Sequence, residues 1–183
     1  MERKFLVIPS VAVLVLAVCV AMTPRPAAAQ GIDPDVQAAL TSLMRTTPAA
    51  KNLASQAKGI LVFPRVAKAG FIVGAQYGDG QLIKNGQPAG HYNIAAGSYG
   101  LQAGVQSFGY AMFFMTDSAL QYLENTAGFE IGMGPSVVVV DAGKAKTLTT
   151  TTGRDDVYAF VFGQKGLMAG LGLQGSKITK ISQ

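Results

Sequence analysis

Lys51, Lys58, Arg65 and Lys68 share a stretch with Arg45 in which no acidic residue occurs between Asp35 and Asp79. A block of one sign in a chain with few charges creates a local positive field, suited to phosphates on a membrane surface or to another anion. Other residue patterns point to chemistry less well. Gly170-Leu171-Gly172-Leu173-Gln174-Gly175 matches the dinucleotide fingerprint by letter. That turn must open a helix and be followed about 20 residues later by an acidic residue, but the sequence given stops short of one. Gly143-Lys144 resembles part of a phosphate loop, yet Val138 stands where the first glycine belongs and Ala145 where Ser or Thr belongs.

Hydrolytic chemistry needs a base, and His91 is the one histidine of the chain. A lone His beside Tyr92 in a strand-like run reads as a structural or surface residue, not a general base. The carboxylates come singly or as the adjacent pair Asp155 and Asp156, which reads as a solvated turn, and no ligand spacing for a metal is present. Phe108, Tyr110, Phe113 and Phe114 could line a pocket, but their alternation is that of a strand buried on both sides. We therefore expect no enzyme activity and no cofactor.

The first residues set the compartment. Glu2, Arg3 and Lys4 lead into an apolar run from Phe5 to Met22, then Pro24-Arg25-Pro26 and Ala27-Ala28-Ala29. This is the three-part pattern of a secretory signal peptide over 1–29, with cleavage expected after Ala29. An uncleaved anchor and a lipoprotein acylated at Cys19 are the alternatives; Pro9 and the alanine site oppose the first, Val18 before Cys19 the second. Cys19 is the only cysteine, so the exported segment 30–183 would hold no thiol and no disulfide. Removing Glu2, Arg3, Lys4 and Arg25 lowers the formal charge from +5 to +3. That excess is too small to call for a nucleic-acid partner. We expect one domain over 30–183, exported to the periplasm or cell envelope.

The elements that position these residues are legible in part. Asp33-Pro34 is a helix start, with Val36, Leu40, Leu43 and Met44 on one face. Thr47-Pro48 repeats the signal, and Ala50, Leu53, Ala54 and Ala57 form a second stripe that runs to Gly59. Strand-type runs follow over Ile60–Phe63, Phe71–Tyr77 and Gln81–Lys84, with Asp79-Gly80 and Asn85-Gly86 offering two-residue hairpin chemistry. Further strands are expected at Tyr92–Ala96, Val105–Met115, Glu130–Asp141, Lys146–Thr150, Val157–Phe162 and Gly166–Leu173. One helix interrupts them, capped by Asp117. Gly70, Gly74, Gly78, Gly100, Gly104 and Gly109 recur within or beside strands, where glycine serves bending or close backbone approach. The expected fold is α+β: a curved, barrel-like antiparallel sheet with N-terminal helices packed on it.

Two segments bring a family into view. Ala57-Lys58-Gly59-Ile60-Leu61-Val62-Phe63-Pro64 followed by Lys68-Ala69-Gly70-Phe71, and Gln164-Lys165-Gly166-Leu167-Met168-Ala169-Gly170-Leu171-Gly172-Leu173-Gln174-Gly175-Ser176, resemble the opening and closing signatures of the SYLF domain. The resemblance spans about Pro34 to Ile181 and implies a lipid- and phosphoinositide-binding module, with eukaryotic members that also bind actin. It implies phospholipid contact at Lys51, Lys58, Arg65 and Lys68. One expectation is a peripheral module docking on anionic phospholipid through this basic segment. The other is an envelope protein that holds an apolar ligand or a protein partner in a groove of the curved sheet.

Overall fold

Asp33 caps the first helix as its sequence dictates. In the computed structural model, which describes residues 31–70, 73–99, 104–140, 155–166 and 175–181, its Oδ1 accepts the backbone N–H of Asp35 at 2.8 Å and of Val36 at 3.4 Å. Helix α1 runs Pro34–Thr46 and buries Val36, Leu40 and Leu43. Helix α2, Pro48–Ala54, buries Ala49, Ala50 and Leu53. It ends before the expected Gly59. The N–H groups of Gln56 and Ala57 turn back to the Leu53 carbonyl, and that of Lys58 already donates to Phe114 O at 2.8 Å. Pairing with a strand therefore claims the backbone before the helix can extend.

Among the described residues eight strands follow: β1 Gly59–Gly70, β2 Val73–Lys84, β3 Gln87–Tyr99, β4 Gly104–Phe114, β5 Phe129–Glu130, β6 Val137–Val140, β7 Val157–Gly166 and β8 Lys177–Ile181. Helix α3, Asp117–Asn125, lies between β4 and β5. The strand order is β5-β8-β3-β2-β1-β4-β7-β6. All pairs are antiparallel except β6 with β7, so the sheet is mixed where an antiparallel one was expected. The curvature is as expected. Phe114 of β4 and Phe129 of β5 stand five places apart in the order, about 24 Å in a flat sheet, yet their ring centroids are 6.0 Å apart.

The sheet curls toward the face that carries those rings. That inner face is filled by Leu61, Phe63, Tyr92, Tyr110, Phe114 and their neighbours, with α3 packed into it through Leu120 and Leu123. The outer face carries Val62, Ala111, Phe113 and Phe160 against α1 and α2.

Several local expectations need correction. Asp79-Gly80 makes no turn but lies inside β2; a Cβ at Gly80 would stand 2.4 Å from the Val62 carbonyl oxygen and 2.6 Å from the Phe63 ring. Asn85-Gly86 is the real hairpin turn, with both φ values positive at 51° and 74°. The cap of α3 is Thr116, whose hydroxyl accepts Ala119 N–H at 3.3 Å, not Asp117. Asp156 belongs to no freely solvated turn: it accepts from Thr116 Oγ1 and from Ser136 N and Oγ, all at 3.1 Å, joining three segments. The run 130–141 is two short strands, and β8 was not foreseen. The expected leader 1–29 with Cys19, the strand 146–150 and most of the strand 166–173 lie outside the described residues.

Candidate membrane-binding face

Pro64 and Arg65 form a bulge that decides where the basic residues point. β1 pairs Val62 with Gln81 but Ala67 with Tyr77, and Phe63 with Tyr110 but Val66 with Phe108, so β1 holds one extra residue against both neighbours. Pro64 brings no N–H to the ladder, which suits this position. Before the bulge Leu61 and Phe63 face inward; after it Val66 and Lys68 do. Arg65 is left exposed on the outer side.

A second bulge sits in β7. Ser107 pairs with Lys165 but Gly109 with Phe162, and Gly163, with φ of 60°, supplies the left-handed turn of the extra residue. Phe162 lies against Gly109, where a Cβ would stand 2.4 Å from its ring. Between the bulges is a cleft of about 480 Å³ beside α1, lined by Ser42, Arg65, Ser107, Phe162 and Lys165. Pro64 and Arg65 also border a neighbouring cleft of about 360 Å³ at the start of α1, with Asp33, Asp35, Asp79 and His91. His91 serves structure there. Gln81 accepts the Asp33 N–H at 2.9 Å and sets its Nε2 3.3 Å from His91 Nε2, tying α1 to β2 and β3.

Beyond the bulges nothing among the described residues covers the outer face. One row across six strands reads Lys177, Ala95, Tyr77, Ala67, Ser107, Lys165. The next reads Gly97, Ala75, Ala69, Val105. All but Ser107 are exposed; Tyr77 is 52%, Val105 69% and nearby Val73 59% accessible. The Tyr77 hydroxyl donates to Asp79 Oδ1 at 2.6 Å, and this bond, more than burial or charge, holds the phenol above its ordinary pKa. The opposite side of the same strands is polar and enclosed. Lys68 is 3% exposed between Gln76 and Gln106, its partners on β2 and β4. Gln76 Nε2 donates to Ser176 Oγ at 2.8 Å, whereas the buried Gln106 Oε1 accepts nothing from the described residues.

The structure does not gather the four basic residues named from the sequence. Lys51 is exposed in the last turn of α2. Lys58 is exposed before β1, 3.8 Å from the Asp117 carboxylate. Arg65 borders the uncovered strip, and Lys68 faces the interior. Two cations that flank the strip, Lys165 and Lys177, escaped attention; Lys165 stands in the closing signature, but Lys177 belongs to the unforeseen β8. Among the described residues no cluster of three His, Cys, Asp or Glu could hold a metal.

The chain matches none of the curated proteins with which it was compared. Residues 95–183, from the middle of β3 onward and including Ser107, Lys165 and Lys177, match the Ysc84 family model, described as Las17-binding protein actin regulator, in agreement with the SYLF-domain resemblance of the motifs.

Proposed function

We propose that this protein is a non-enzymatic lipid-binding module, exported to the cell envelope, that docks peripherally on anionic phospholipid surfaces. The observation that carries the reading is the uncovered outer strip. It presents alanine, valine and tyrosine to solvent and places Arg65, Lys165 and Lys177 around its edge. An exposed apolar patch rimmed by charge is the mark of an interaction surface. A flat strip of small residues settles at the interface while its cations reach the phosphates. Lys51 and Lys58 add to the long-range field from the helical side. The resemblance to a family with lipid-binding members is consistent with the reading, whereas the actin-regulator description belongs to the family model and is not carried over.

Pelleting of the purified protein with anionic and with uncharged vesicles tests this. Binding should favour the anionic vesicles and fall as salt rises, because the cations act through a screened field. Equal pelleting with both kinds at every salt concentration would contradict it.

A further inference from the structure

The charges along the flank of α1 change sign at Arg65. On one side lie Arg65 and Lys165 with the hydroxyls of Ser42 and Ser107; on the other, Asp33, Asp35 and Asp79, and both clefts share Pro64 and Arg65. We propose that the Arg65–Lys165 cleft holds a lipid headgroup carrying a single phosphodiester and that the adjoining carboxylates reject headgroups with further phosphates. This rests on the docking function proposed above and names the lipid class it selects.

The geometry suits one phosphate. Arg65 on β1 and Lys165 on β7 are separated by β4 alone, so their backbones stand about 10 Å apart, a span that two long side chains close from opposite sides. The guanidinium offers a planar pair of donors to a phosphate, and the ammonium a compact point charge. Neither cation makes an ion pair among the described residues, whereas Lys58 and Lys84 do. The cleft's 480 Å³ lies in the range of small-molecule sites. A second phosphate on the headgroup would extend either to open solvent or toward Asp79. Asp79 sits on β2, one strand spacing, about 5 Å, beyond Arg65. Like charges at such range oppose binding and so confer selectivity. Two cations suffice for one phosphodiester, which carries a single negative charge, while three carboxylates stand against additional phosphates.

The test compares vesicles of equal surface charge on one phosphatidylcholine background, charged by phosphatidylglycerol or by a bisphosphorylated inositol lipid. The unaltered protein should bind the phosphatidylglycerol vesicles severalfold more tightly. Asp35→Asn with Asp79→Asn should raise binding to the inositol-lipid vesicles until the preference disappears, with the melting temperature unchanged. Arg65→Gln with Lys165→Gln should weaken binding to phosphatidylglycerol roughly thirtyfold, at about fivefold for each cation near a surface. Equal or tighter binding of the unaltered protein to the inositol lipid overturns the single-phosphate selectivity and leaves the docking function standing. Binding to neither vesicle overturns both.

Discussion

The strands β1, β2 and β4 carry opposite polarity patterns at their two ends. Near the helices they are apolar on both faces, with Leu61, Phe63 and Phe114 inside and Val62 and Phe113 outside beneath α1 and α2. Past the bulges the enclosed side carries Lys68, Gln76 and Gln106, and the open side Ala67, Ala69, Ala75 and Val105. A sheet with one face in water places its polar residues on that face. Here the order is reversed. On the function proposed above, the reversal matches the open strip to surroundings less polar than water, with a buried lysine and two buried glutamines on the enclosed side. Arg65 and Lys68, three residues apart, illustrate the switch, since the bulge sends one to the rim and the other to the interior.

The largest break of this comparison is at the helix end. Phe114 is fully buried against Phe129, so Phe114→Ala should cost about 3–5 kcal/mol in urea unfolding. The inner face also predicts an alkaline limit. Burial, with a lesser push from Glu124, raises Tyr92 to about 12, and burial alone raises Tyr110 further still. A phenol raised in the fold contributes stability that is complete below its unfolded pKa of about 10 and is lost as pH climbs through the folded value. Melting temperature should therefore show no tyrosine-linked fall up to pH 9 and then drop steeply from pH 10 to 12. Tyr92→Phe should make that drop shallower.

Sharper contrasts come from the basic residues. Lys68 is buried and not without a partner, so Lys68→Gln should destabilise the protein by about 1–3 kcal/mol while vesicle binding of the folded fraction stays at the parent level. Loss of binding in a folded Lys68→Gln protein would deny that its two faces have separate roles. The smallest effect belongs to Lys58. Its contact with Asp117 is long and exposed, and Lys58→Gln should change stability by less than about 0.5 kcal/mol.

What the sequence revealed depended on how local the cause was. The α1 start at Asp33-Pro34 and the Asn85-Gly86 turn were legible because neighbouring residues determine them. The curvature, seen in Phe114 meeting Phe129 across the sheet, was expected from glycines in strands, and Gly109 beneath Phe162 shows the close approach such glycines allow. The switch at Arg65 was not legible, because Pro64-Arg65 becomes a bulge only when β2 and β4 fix the register on both sides. A basic block read along the chain therefore overlooked that Lys68 points inward. Asp79-Gly80 misled for the same reason, its glycine answering to the Val62 carbonyl and the Phe63 ring on another strand. The strip could not be seen as one surface, since its row draws a residue from each of six strands and ends on β8.

The chain contains no tryptophan, so Val105→Trp would place a single fluorophore on the open strip, at a site already 69% exposed. Its emission on addition of phosphatidylglycerol vesicles is the most direct measurement of the central claim. The account predicts a water-like spectrum in solution that shifts to the blue on the vesicles and is quenched by brominated acyl chains. An unshifted spectrum while the protein pellets with the vesicles would contradict it, since the membrane would then be held by another surface.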